Sequence, residues 1–224
     1  MVPVIFQMFL GLFLGVYLNG VNPAFSSANE IMVYYFFSNV INNFQRNSPV
    51  YKVENEVISG NINIHLVKPY NFIFYILVKD IAVKIWKLAV TMIITFSIFA
   101  LFYNINIGID YFIRAFIAVP LAVLFINLNV SIFCYLSMIF EKIRRVSSVY
   151  GMLSFFLGGG LVSVKYFPEF IKYLPQYFYF GAPLDFIINS TYSYLPLFLI
   201  YTAIFIFINL ALHKIVTRRI ETNG

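Results

Sequence analysis

Residues 111–140, YFIRAFIAVPLAVLFINLNVSIFCYLSMIF, run for thirty positions with one charged side chain, Arg114. About 20 mostly apolar residues suffice for a helix to cross the ~30 Å hydrocarbon core of a bilayer. Lipid offers no partner to an open backbone group, so a buried run of this kind is a helix or a strand of a closed barrel. The run is continuously apolar rather than alternating, which selects the helix. Comparable runs cover residues 2–18, 31–45, 81–103, 149–164 and 194–213. The expectation is an all-α fold, a polytopic membrane helical bundle of six transmembrane helices forming a single domain over residues 1–224. Composition agrees: 61% of the residues are hydrophobic and 11% charged, where soluble domains sit near half and a quarter. No region is polar enough for a second, soluble domain. The opening run lacks a basic n-region and a small-residue cleavage site, so it reads as a retained span.

The formal charge of +6 could point to nucleic acid. The cations sit instead at the ends of the apolar runs, as expected for a chain whose partner is the lipid bilayer. Twelve of the fifteen Lys and Arg fall on one side when residues 46–87 are grouped with the 141–148 loop and the C-terminal tail. Arg114, Lys165 and Lys172 fall on the other. This bias makes the rich side cytoplasmic and predicts a multi-pass protein of the cell membrane with both termini inside. After Pro69, Asp80 and Lys84 form an i,i+4 pair on what reads as an interfacial helix bending into span three. Residues 165–193 carry three prolines and many aromatics, and predict two short outer re-entrant helices between spans five and six.

Catalytic patterns are missing. The chain has no phosphate-cradling G-x-x-x-x-G-K-[ST], no H-E-x-x-H and no G-x-S-x-G, so no catalytic, metal or cofactor-binding residues are expected. Cys134 is the single cysteine, and His65 and His213 lack metal-ligand spacing; His65 reads as an exposed loop residue. Gly158-Gly159-Gly160 reads as close packing or a kink within span five rather than a nucleotide site. No carboxylate falls near the middle of a span, which weakens a proton-coupled carrier. The Asn189-Ser190-Thr191 sequon reads as a chance match. Asn39, Asn42 and Asn43 form a stripe on span two, and Asn127 and Ser131 share a face of span four. These five either bond between helices or line a path at a subunit interface.

One stretch is left over: VISGNINIHLVKP, residues 57–69, between spans two and three. Ile58, Ile62, Leu66 and Ile64 offer an apolar edge, Gly60 permits a tight turn, and Pro69 can open the next helix. Such an edge either meets a protein partner or packs back on the bundle or the membrane surface. Ile58-Ser59-Gly60-Asn61-Ile62 followed by Leu66-Val67-Lys68-Pro69 resembles the signature of ABC-2 type transporter permeases, the membrane halves of ATP-driven exporters. Gly159-Gly160 leading to Phe167-Pro168 and Leu174-Pro175 resembles the same family's passage from span five to its outer helices. Two departures stand out: the chain opens without the family's basic amphipathic helix, and Val164-Lys165 stands where a proline often follows the span-five glycine.

The resemblance implies a coupling loop over about residues 47–80, with a coupling helix within Glu54–Pro69 that seats in a separate cytoplasmic ATP-binding cassette ATPase. Ile58, Gly60, Ile62, Leu66, Lys68 and Pro69 would make that contact. It also implies a second permease subunit, identical or not, and no ATP-binding motif in this chain. Aromatic outer helices and uncharged spans suit an amphipathic or lipid-like cargo. The competing expectations are a non-catalytic accessory or immunity protein and a small lipid-modifying membrane enzyme.

Overall fold

The structure is a computed structural model and describes residues 2–21, 23, 25, 27–44, 48–66, 71–103, 109–140, 142–171, 181–189 and 195–223. Five of the six apolar runs lie almost wholly within helices. These are α1 (Val2–Val21), α2 (Ala28–Phe44), α5 (Phe72–Tyr103), α6 (Ile109–Ile139) and α9 (Leu195–Asn223). Between them come α3 (Ser48–Ile58), α4 (Ile62–Leu66), α7 (Arg144–Leu157), a 3-10 turn (Val164–Tyr166) and α8 (Gly181–Asn189). No strand occurs among the described residues. By length and composition, α6 and the Phe198–Arg218 part of α9 can each cross a bilayer.

Helix α2 is the centre of the bundle. Ile31, Val33, Tyr34, Phe36, Phe37, Val40 and Ile41 are all buried, because α1, α5, α6 and α8 pack around it. The Ser27 hydroxyl accepts from the Glu30 amide (3.3 Å) and so caps its first turn. Helix α6 is the second hub and touches α2, α3, α5, α7, α8 and α9. Phe125 of α6 meets Phe198 and Phe205 of α9, each with ring centroids 5.0 Å apart. Beside them the Asn209 amide donates to the Leu128 carbonyl (3.0 Å).

The outer surface is the reverse of a soluble protein's. Phe116 is 83% exposed and Phe207 73%, and α1, α6, α7 and α9 all turn large apolar side chains outward. So much contiguous apolar surface requires lipid or a partner chain to cover it.

Helix α1 sits on α2 through two glycines a helical turn apart. A Cβ on Gly11 would lie 2.7 Å from the Tyr35 ring, and one on Gly15 would strike Tyr35 and Ile31. The Tyr166 hydroxyl donates to the Gly15 carbonyl (3.2 Å) at the same seam. Gly15→Leu is expected to lift α1 off α2 at a cost of about 1–3 kcal/mol, measured as a lower unfolding midpoint of the detergent-solubilised chain.

Residues 48–66 form a helical pair, α3 and α4. The residues read as an interfacial helix continue into the third apolar run as one helix of 32 residues. One expectation needs correction. Span five ends early: α7 has 14 residues, and at 1.5 Å per residue it is about 21 Å long. Glycine ends it. Gly159 adopts φ +85, its amide donates to the Phe156 carbonyl (3.3 Å), and the Gly160 amide donates to the Phe155 carbonyl (2.8 Å). That pairing is a Schellman cap, which only a residue tolerant of the left-handed region closes without strain.

Of the outer segment, residues 172–180 and 190–193 lie outside the described residues; among the rest one α-helix, α8, forms, packed against α2, α6 and α9 with most of its residues buried. Arg114 fastens its end by donating to the Ile187 carbonyl (3.0 Å).

Candidate coupling site

Helix α3 has the spacing of a surface helix with one buried face. Val50, Val53, Glu54 and Val57 recur at i, i+3, i+4 and i+7; Val50, Val53 and Glu54 are buried and Val57 packs on the core. This face lies on α5, α6 and α7. The opposite face shows Tyr51, Lys52, Asn55 and Ile58 to the exterior.

The chain then reverses at Gly60, whose φ of +75 lies in the left-handed region. A Cβ added there would meet nothing within 4 Å. The turn therefore uses glycine for its backbone freedom and not for space. Ile58 before the turn and Ile64 after it are 59% and 63% exposed, while Ile62 is half-buried against the core. The hairpin thus holds two bare isoleucines on either side of a tight turn.

Leu66 closes α4. Lys68 and Pro69 lie outside the described residues. Expected to be exposed, His65 is half-buried instead. Its ring stacks on Phe72 at 4.4 Å, and its Nε2 lies 3.9 Å from Glu56. The stack ties α4 to the start of α5. There the Asn71 side-chain oxygen Oδ1 caps the helix by accepting from the Phe74 amide (3.1 Å), and the Asn71 Nδ2 donates to the Tyr135 hydroxyl (3.3 Å). Glycine and three alternating polar residues over six positions give this short helix little mark of its own in the sequence.

Three buried charged groups, Asp80, Lys84 and Glu54, tie this region inward. Asp80 and Lys84 form the expected pair at 2.6 Å, but their side chains are only 6% and 10% exposed. Lys84 also donates to the Phe44 carbonyl (2.8 Å), so the pair joins α5 to the C-terminus of α2, where a cation is favoured. Glu54 accepts from the Arg144 amide (2.7 Å). The residue preceding α7, Ile143, has no capping side chain, and the Glu54 carboxylate supplies that function from another helix. The Arg144 guanidinium lies 4.9 Å from the centre of the Tyr51 ring.

The polar residues of the spans separate in the structure. Asn39, Asn42 and Asn43 of α2 are half-buried, and Asn39 and Asn42 are engaged in contacts. The Asn127 amide donates to its own helix, at the Val123 carbonyl (2.7 Å). Ser131 is buried on α6. Hydrogen bonds that join helices are made by other side chains as well. The Tyr150 hydroxyl donates to Asn129 (2.9 Å), tying α7 to α6. From α2, the Tyr34 hydroxyl donates to the Gly159 carbonyl (2.6 Å) and the Ser38 hydroxyl to the Gly160 carbonyl (2.7 Å). Tyr34 and Ser38 stand four apart on one helical face, which is their only mark in the sequence.

Nothing among curated proteins matches the chain. A family described as "ABC-2 family transporter protein" matches residues 4–224. Members of that family are transport subunits that work with an ATP-binding cassette ATPase, the hydrolytic activity lying in a separate subunit. With nearly the whole chain matched and its helices clothed in apolar side chains, this protein belongs to the ABC-2 transporter family, as a membrane-embedded permease component of an ABC transporter.

Proposed function

We propose that the chain is the permease subunit of an ATP-driven exporter, moved by a cytoplasmic ATPase that docks on the α3–α4 hairpin. One observation carries this reading: the Gly60 turn presents Ile58 and Ile64 bare to the exterior, while the other face of the hairpin is packed on α5, α6 and α7. A surface turn that needed only to connect two helices gains nothing from two exposed isoleucines. In a cleft of the ATPase, those isoleucines would be covered.

In this reading α1, α2, α5, α6, α7 and α9 are the six spans, and both termini lie on the cytoplasmic side with the hairpin. Helix α7, at about 21 Å, is shorter than the hydrocarbon core; the glycine turn and the chain after it complete the fifth crossing. Irregular backbone is tolerated at such depth where protein groups satisfy it, and Tyr34 and Ser38 have that role. A second permease subunit covers part of the apolar exterior and completes the pathway. The cargo is amphipathic or lipid-like. This agrees with the aromatic cluster of Phe25, Tyr34, Tyr35 and Tyr166 and with Lys165 4.4 Å from the centre of the Phe25 ring.

The test is photo-crosslinking from residue 58 or 64 in membranes, with the captured polypeptide identified by mass spectrometry. A Walker-type ATPase is the expected partner. Gly60→Asp or Ile62→Asp is expected to lower that capture by about tenfold or more, since an uncompensated buried charge costs at least ~1.4 kcal/mol. The bundle itself should stay folded. Capture of no ATPase, or full capture by both variants, refutes the docking site.

A further inference from the structure

We infer that the outward face of α5 takes an anionic phospholipid of the inner leaflet, with Lys79 on its headgroup and Trp86 beside its upper acyl carbons. The inference rests on the reading above for α5 as a span and for the hairpin side as cytoplasmic. One stripe runs along the helix. Tyr75, Lys79, Ala82, Trp86, Ala89 and Ile93 follow one another at three or four residues, and all are exposed. At that spacing they share a face. Trp86 is 73% exposed and Ile93 68%. The opposite face is sealed against the bundle, with Ile73, Ile76, Asp80 and Lys84 buried.

Charge and hydrogen bonding select lipid as the cover. Between Phe72 and Trp86 the chain has three charged residues. Asp80 and Lys84 turn inward and pair with each other, which leaves Lys79 outside with no acid beside it on this stretch. A helix facing water keeps charges outside and apolar groups inside; here the ion pair is inside and the indole outside. Farther along, the Ser97 hydroxyl donates to the Ile93 carbonyl of its own helix (2.8 Å). A hydroxyl must do so where lipid offers no partner, so the stripe is continuous with a lipid-facing surface. Lys79 and Trp86 stand about 10 Å apart along the axis, or ~8 Å in depth at the upper end of usual helix tilts. An interfacial layer is roughly 5–8 Å thick on each side of the core. The indole therefore sits at the inner boundary of that layer, a level it favours, while the ammonium stands at the phosphates. The lysine leans that way: its Nζ lies 6.0 Å from the centre of the Tyr75 ring, one turn nearer the cytoplasmic end.

Trp86 is the sole tryptophan of the chain, so its fluorescence reads the lipid beside it. The full-length chain is reconstituted in vesicles of phosphatidylglycerol and phosphatidylcholine in equal parts, with brominated acyl chains as quencher on one lipid or the other. Quenching is expected to show a preference for phosphatidylglycerol of about 3- to 5-fold, the effect of one lysine at an anionic surface. Lys79→Gln is expected to bring that ratio to about one. Arg145→Gln, which removes an exposed cation of α7 instead, keeps the wild-type ratio. A wild-type ratio near one overturns the inference, as does a preference that survives Lys79→Gln or falls equally in Arg145→Gln. Feeble quenching by both lipids overturns it too, because a second copy of the chain then covers the stripe. Both leaflets hold the same mixture and no ATPase is present, so the ratio is independent of where an ATPase docks. Failure of the crosslinking from residue 58 sinks the docking site and leaves the quenching result standing.

Discussion

Gly159→Ala is expected to destabilise the bundle by about 2–5 kcal/mol, the sum of about 1–2 kcal/mol for holding a side-chain-bearing residue in the left-handed region and about 1–3 kcal/mol for overpacking a filled site. The backbone there has φ +85, and the new methyl would lie 2.7 Å from the Tyr34 hydroxyl oxygen and 2.7 Å from a Val164 methyl. To relieve the contact Tyr34 must withdraw, which breaks the bond it donates to the Gly159 carbonyl. Gly60→Ala provides the internal comparison. That glycine has a similar φ, +75, but open space around it, so only the conformational cost of about 1–2 kcal/mol applies. The midpoints of denaturant or thermal unfolding of the two variants in one detergent measure the difference. Equal shifts would show that the Gly159 site is not tightly packed.

Lys84→Met should have an effect of similar or greater size, about 3–5 kcal/mol, the usual result of removing one partner from a buried ion pair. The flexible methionine replaces the alkyl stem well. What it cannot replace is the charge facing Asp80 and the donor to the Phe44 carbonyl. The double variant Lys84→Met/Asp80→Leu separates these two losses. It is expected to recover much of the stability, because no stranded carboxylate remains. If the double variant is as unstable as the single one, the bond to the end of α2 outweighs the ion pair.

The positions of the helices were legible because crossing a bilayer demands length and apolar continuity, both of which can be read residue by residue. The ends of helices were less so. Gly158-Gly159-Gly160 reads equally well as packing inside a span and as a cap beyond one. The decision is made by Tyr34 and Ser38, more than a hundred residues earlier in the chain. Likewise Asp80 and Lys84 announce a pair by their spacing, but their burial depends on where α2 ends. Glu54 was the avoidable miss: Val50, Val53, Glu54 and Val57 mark one helical face, and a carboxylate on a buried face requires a partner. The apolar edge of residues 58–66 was visible in sequence, and what it touches remains the business of the crosslinking experiment above. Asn129 and Asn209, which bond across helices, look no different in sequence from Asn127, which bonds back to its own.

The enclosure of α2 bears on how the protein is made. A segment carrying Tyr34, Tyr35, Ser38, Asn39, Asn42 and Asn43 gains little from entering lipid by itself, because each polar group it brings weakens partitioning from the translocon. Its neighbours α5, α6 and α8 all follow it in the chain. The nascent α2 therefore settles in its final place only after synthesis has passed residue 189: of the helices packed around it α1 alone precedes it, α5 and α6 emerge next, and α8 comes last.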